Sequence, residues 1–196
     1  MPGLSLSPLD AGDASPTAEG RGDGAESSGA ESDAHRAERD DMTAGPRKRP
    51  QSVLVVVCTR GGEFLLMRRT RPSDFWQSVT GSLAPGETPR HAAAREVREE
   101  TGLLVGGALL DLHQSRLFPI IRAWRARYAP NVCFNREYWF ALVLETRRLI
   151  RLDPREHLEY RWLDANTALE LASSWTNRDA IRAIAACVVG ARSVLV

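Results

Sequence analysis

The chain has 196 residues, with 25 acidic and 26 basic side chains and three cysteines, enough for one domain with a real core once the first stretch is set aside. No stretch approaches the length of a membrane span, and Cys58, Cys133 and Cys187 are too scattered for a metal site or a disulfide framework, which points to reduced thiols in the cytoplasm. Residues 1–45 hold ten acidic and three basic side chains, which leaves 15 and 23 for residues 46–196; the basic second part suits a polyanionic small molecule, and no aromatic-and-basic motif or repeat favours nucleic acid.

Residues 1–45 are rich in Gly, Ala, Ser, Asp and Glu. Such a segment cannot bury enough apolar surface to offset its ordering entropy, so it reads as a disordered acidic extension. It has neither the cationic start and apolar run of an export signal nor the composition of a transit peptide. After Lys48-Arg49-Pro50, the β-branched run from Ser52 to Val57 suits a buried strand. Gly61-Gly62 is a turn and Phe64 to Met67 a second strand, so a hairpin is expected. Arg68 and Arg69 end that strand, and residues 74–80 (DFWQSVT) lead toward Gly81 with hydroxyl and amide groups.

Thr88 suits an N-cap, Pro89 a first helical position and Gly102 a C-terminal cap, which predicts a helix from Pro89 to Thr101. Beyond it, Leu103 to His113 reads as a strand interrupted at Gly106-Gly107. Phe118 to Ile121 is core or a pocket wall. Glu137 to Leu144 is a long strand, with Glu137 a further candidate carboxylate. Tyr160 to Leu163 is a short strand, and Asp164 caps a helix running from Ala165 toward Ser173. Asn177 is the expected cap of a last helix, from Arg178 to Val188, ending at Gly190.

The stretch from Gly81 to Leu103 carries the chemistry. Glu96, Glu99 and Glu100 stand at i, i+3 and i+4, so their carboxylates share one face of the predicted helix. Arg95 can hold Glu99 at i+4, but a hard divalent cation answers the like-charge crowding more fully, and Mg2+ is the usual one. An isolated Glu/Arg run is most often a solvated helix face. Here Gly81, Glu87, Arg95, Glu96, Glu99, Glu100 and Gly102 are fixed together, a coincidence expected on the order of once in 10^8 windows, which sets that reading aside.

These seven positions resemble the signature box of the Nudix hydrolases. The resemblance implies an α/β fold, an α/β/α sandwich around a mixed sheet, with Mg2+-dependent hydrolysis of a diphosphate linked to another moiety. The segments Lys48-Arg49-Pro50, Asp74 to Ser82, Arg127 to Pro130, Glu156-His157-Leu158, Trp162 to Ala165 and Ser174 to Arg178 are similar to the members that release pyrophosphate from a pterin triphosphate in bacterial folate biosynthesis. That likeness spans residues 47 to 185 and implies Glu96 and Glu100 as metal ligands, Glu99 beside them as a ligand or proton acceptor, and Glu156 as a further metal ligand or general base, with Glu99, Glu156 and Arg95 the catalytic set. It implies Lys48, Arg68, Thr80, Phe118, Ile121, His157 and Ser174 as substrate-binding residues. Hydrolysis of ordinary or oxidised nucleoside triphosphates is the alternative in the same reaction class, and a non-catalytic Nudix-fold sensor the alternative outside it. Oligomeric state is not legible.

Overall fold

Strand β1 (Gln51–Thr59) is buried from Val53 onward and divides the interior in two. Val53, Val55 and Val57 enter one apolar cluster while Leu54, Val56 and Cys58 enter another, as the two-residue period of a strand covered on both faces requires. The computed structural model describes residues 47–193, and the predicted extension over 1–45 lies outside them.

The sheet is completed by β2 (Glu63–Arg69), β3 (Trp76–Gln77), β4 (Val79–Ser82), β5 (Leu109–Pro119), β6 (Phe134–Leu144) and β7 (His157–Asp164). Its order is β3-β2-β1-β6-β5, with β4 paired to β1 and β7 to β2. β1 runs parallel to β6, and the other pairings are antiparallel, giving a mixed sheet. Helix α1 (Pro89–Thr101) packs Ala92, Ala93 and Val97 into the cluster of Val53 and Val55; α2 (Ala165–Leu171) and α3 (Trp175–Ser193) put Ala168, Ala180 and Ile181 into the cluster of Leu54 and Val56. Helices therefore cover both faces, the expected α/β/α sandwich. No helix among the described residues is long and apolar enough to cross a membrane.

Helix α1 has the predicted bounds because its caps are local. The Thr88 hydroxyl accepts the His91 N–H at 3.3 Å, Pro89 occupies the first position, and Gly102 at φ 73° returns its N–H to the Arg98 carbonyl at 3.0 Å. Elsewhere tertiary pairing corrects the sequence expectation. The expected β1–β2 hairpin is present but short, with Cys58 and Phe64 as its register pair, because β4 pairs with β1 over Ser52–Val55 and β3 with β2 at Met67 and Arg68. The Gly106-Gly107 turn precedes β5 instead of interrupting it, and the strand extends through Phe118 to Pro119 at the sheet edge, where a proline is tolerated. Helix α3 begins at Trp175: the Ser174 hydroxyl accepts the Asn177 N–H at 3.2 Å, so Ser174 is the cap and Asn177 lies inside the helix. Gly190 does not end α3, which continues to Ser193.

Candidate active site

Gly81 on β4 is the hinge of the site. A Cβ added there would stand 1.8 Å from the Glu96 carboxyl carbon, so only glycine lets that carboxylate lie against the strand. Arg95 fixes the geometry around it. Its guanidinium forms a two-pronged pair with Glu87 at 2.9 and 2.9 Å, donates to Glu96 at 2.8 Å and Glu99 at 3.0 Å, and reaches the Ser82 carbonyl at 3.1 Å. Glu87 in turn accepts the Ala84 N–H at 2.8 Å, which ties the loop to the helix. The Arg95 bonds hold the Glu87 carboxyl below its usual pKa, and the same bonds raise that of Arg95. Arg95 thus positions three glutamates at once.

The two inner glutamates are in the opposite situation. Burial pushes the Glu96 pKa up to about 7 against the pull of Arg95. Glu100 is only 2% exposed, and the Thr80 backbone N–H is the one donor near its carboxylate, too loosely placed to satisfy either oxygen; burial, with Glu96 and Glu156 nearby, raises its pKa well above normal. Leaving such a group unsatisfied costs about several kcal/mol. Its nearest cationic candidate, the Nε2 of buried His157, is 4.0 Å away, and burial lowers the His157 pKa to about 4, so the imidazole is neutral at pH 7 and supplies no charge. Both His157 nitrogens also lack partners. Orphaned buried carboxylate oxygens beside a second buried carboxylate fit a hard divalent cation. Among the described residues no three such side chains converge as a finished metal shell; Glu96 spends an oxygen on Arg95, and Glu99 is 55% exposed on the same guanidinium.

Glu156 stands on the exposed loop before β7, within electrostatic reach of Glu96, Glu100 and Lys48. The Lys48 ammonium approaches the Ser82 hydroxyl at 3.4 Å, and its backbone N–H is held by the Arg127 carbonyl at 2.8 Å. Burial and the neighbouring Arg127 lower the Lys48 pKa. This end of the sheet therefore gathers Glu96, Glu99, Glu100, Glu156, Lys48 and His157.

Arg68 is not among them. Met67 lies in the α1-side cluster, so its neighbour Arg68 points to the other face, where it pairs with Glu159 at 2.9 Å and lines an open groove with Asp74, Trp76 and Arg161. Arg69, two residues beyond Met67, is the arginine on the α1 side, within reach of Glu100, His157 and Lys48. The register helps: Arg68 faces Glu159 and Arg69 faces His157, leaving Leu158 as an extra residue, a bulge that re-aims His157 toward Glu100. Since both faces of β2 are buried, its apolar pattern does not say which face α1 covers, and that is why Arg69 escapes sequence reasoning.

Thr80, Phe118 and Ser174 also fall on the second face. Thr80 pairs in register with Leu54 and accepts the Gln77 amide at 2.9 Å; Phe118 pairs with Asn135; Ser174 caps α3. Ile121 is exposed where the 3-10 turn Arg122–Arg127 begins. The predicted residues thus divide between the α1 side, with Lys48, Glu96, Glu99, Glu100, Glu156 and His157, and the face across the sheet, with Arg68, Thr80, Phe118 and Ser174.

A mixed sheet between α1 and α2/α3, with paired glutamates against a glycine of the central strands, defines a class, and the NUDIX domain model matches residues 48–184. The chain belongs to the Nudix family, whose members generally use divalent cations. It is 46% identical over 138 residues to the dihydroneopterin triphosphate diphosphatase of Escherichia coli, covering 68% of this chain and 91% of that protein. It is 38% identical over 151 residues to the protein of that name from Haemophilus influenzae, covering 74% and 94%. The solved structure of the E. coli dihydroneopterin triphosphate pyrophosphohydrolase superposes with a TM-score of 0.65 at 45% identity, covering 70% of this chain and 95% of that one.

Proposed function

We propose that this chain hydrolyses 7,8-dihydroneopterin triphosphate to dihydroneopterin monophosphate and pyrophosphate, with Mg2+ as cofactor, in the cytoplasm and as a step of folate biosynthesis. The observation that carries the reading is that near-complete relatives of this name share 46% and 38% of their aligned residues with a chain whose buried glutamates are intact. Residues 46–196 are the hydrolase domain, and residues 1–45 an extension outside it.

Glu96 and Glu100, with Glu156 within electrostatic reach, would hold the cation, and Arg95 keeps Glu96 and Glu99 in place. When bound, Mg2+ supplies Lewis-acid chemistry, neutralising phosphate oxygens and lowering the pKa of a water. Lys48 and Arg69 add positive charge at the triphosphate, where repulsion would otherwise keep an incoming nucleophile away. Glu99 or Glu156 would accept the water proton. Neutral His157 is buried beside Glu100, its Nε2 4.0 Å from the carboxylate.

Arg69→Ala is expected to lower kcat/KM by about 30-fold or more, the loss of a charge-assisted contact to phosphate, and Arg68→Ala by less than about threefold. Steady-state kinetics of the two variants check this; the reverse order would return the phosphate contact to Arg68. The substrate is tested by comparing kcat/KM for dihydroneopterin triphosphate with dATP, GTP and 8-oxo-dGTP. The pterin is expected to lead, and a tenfold preference for any nucleotide would replace the pterin as substrate.

A further inference from the structure

Across the sheet from α1, an apolar core turns polar at one end. In the β6–β1 and β6–β5 registers Glu137 stands beside Ser52 and Arg116, and Asn135 beside Phe118, so all five side chains share a face. Asn135 is only 4% exposed and Glu137 only 6%. Buried polar groups need partners, and this set is incompletely supplied. Asn135 donates its amide to the Ser52 hydroxyl at 2.7 Å but its Oδ1 has no partner. Glu137 accepts the Trp139 indole N–H at 3.1 Å and a hydrogen bond from Thr176. A carboxylate offers about four acceptor positions, so about two remain. Its cross-strand neighbour Arg116 lies over the Trp139 ring, 4.3 Å from the centroid.

The polar row leads back to the glutamates. Ser82 is the register partner of Ser52, its hydroxyl meets Lys48, and the adjacent Gly81 touches Glu96. A triphosphate at the glutamates with its heterocycle turned past Gly81 and Ser82 would therefore bring that ring to Glu137 and Asn135.

We propose that Glu137 and Asn135 form the subsite that reads the heterocycle, with Glu137 accepting two adjacent N–H donors of a 2-amino-4-oxopyrimidine edge and Phe118 covering the ring face. This rests on the functional reading above. That edge, common to a pterin and a guanine, presents a ring N–H beside an exocyclic N–H, matching the fork of a carboxylate. An adenine presents a ring nitrogen lone pair beside its amine, which a carboxylate repels. The subsite therefore separates substrates by their donor pattern, the kind of discrimination a buried polar group gives when its partner is missing. Burial raises the Glu137 pKa, and paired N–H donors would favour the charged form and offset that burial.

The test is equilibrium titration of the full chain and of Glu137→Gln with dihydroneopterin triphosphate, dGTP and dATP, with Ca2+ in place of Mg2+ to slow turnover. The variant is expected to bind the pterin and dGTP about 10- to 100-fold more weakly, and dATP within about threefold of wild type. An equal loss for all three would assign Glu137 to packing alone through Trp139 and Thr176, and would overturn the proposal, as would an unchanged pterin affinity. Should Glu137→Gln melt below the titration temperature, Asn135→Ser in the same series decides by the same criterion. Turnover of the pterin is read separately in the wild type: its absence would refute the functional reading, while the ratio of dGTP to dATP would still decide this subsite.

Discussion

Glu100→Gln is expected to lower kcat/KM by about three to four orders of magnitude while leaving the melting temperature of the metal-free protein unchanged or higher. Burial already holds the Glu100 carboxyl toward its neutral form, so a neutral amide of the same shape adds no desolvation cost, whereas it removes the anionic oxygens on which cation binding rests. Thermal melts with and without Mg2+ separate the two effects. For wild type the Mg2+-induced rise should grow from pH 5.5 to pH 8, because a proton on Glu96, whose pKa is about 7, competes with the cation. The metal-free baseline is less informative, since two groups oppose each other there. Glu96, raised from 4.5 to about 7, contributes stability below pH 4.5 that is lost as pH rises through 7; His157, lowered from 6.5 to about 4, contributes stability above pH 6.5 that is lost as pH falls through 4. The difference made by Mg2+ is the clean readout, and Glu100→Gln should abolish most of it. A variant that retained a full Mg2+ shift would remove Glu100 from the ligand set.

Gly81→Ala is the second large effect, and it has the opposite look of a small change. The added methyl would meet the Glu96 carboxyl group at 1.8 Å, and the atoms it meets are the far end of a flexible side chain, not backbone. Glu96 can swing away, so folding should survive with a melting temperature within about 4 °C of wild type. What it cannot do is swing away and keep its place beside Glu100 and Arg95. We expect kcat/KM to fall by about 100-fold or more, as a ligand displaced by an ångström loses its geometry. Equal losses in activity and stability would mean that Gly81 serves the strand and not the carboxylate.

The residues that could be read from sequence are those whose geometry is local. Thr88, Pro89 and Gly102 set the bounds of α1, and the i, i+3, i+4 spacing put Glu96, Glu99 and Glu100 on one face, because a helix carries its own coordinates. Arg95 was legible as a tether for Glu99 at i+4, but its pairing with Glu87 closes a loop of eight residues and only the fold displays it. Arg69 was not legible, because choosing between Arg68 and Arg69 requires knowing which face of β2 lies under α1, and both faces are apolar. The cap of α3 failed for a related reason. Asn177 is a good cap by residue type, yet its side chain is buried and its oxygen accepts the Ser78 N–H at 2.7 Å, which leaves Ser174 to end the helix. Asn135 could be found only through its register with Phe118 across two strands.

A steady-state assay of the purified full chain with dihydroneopterin triphosphate and Mg2+, following pyrophosphate and orthophosphate separately, decides the substrate assignment. Pyrophosphate should appear in step with dihydroneopterin monophosphate, one for one, and only with the metal present. No turnover of the pterin by a preparation active on a nucleoside triphosphate would leave the glutamate site standing and contradict the substrate assignment.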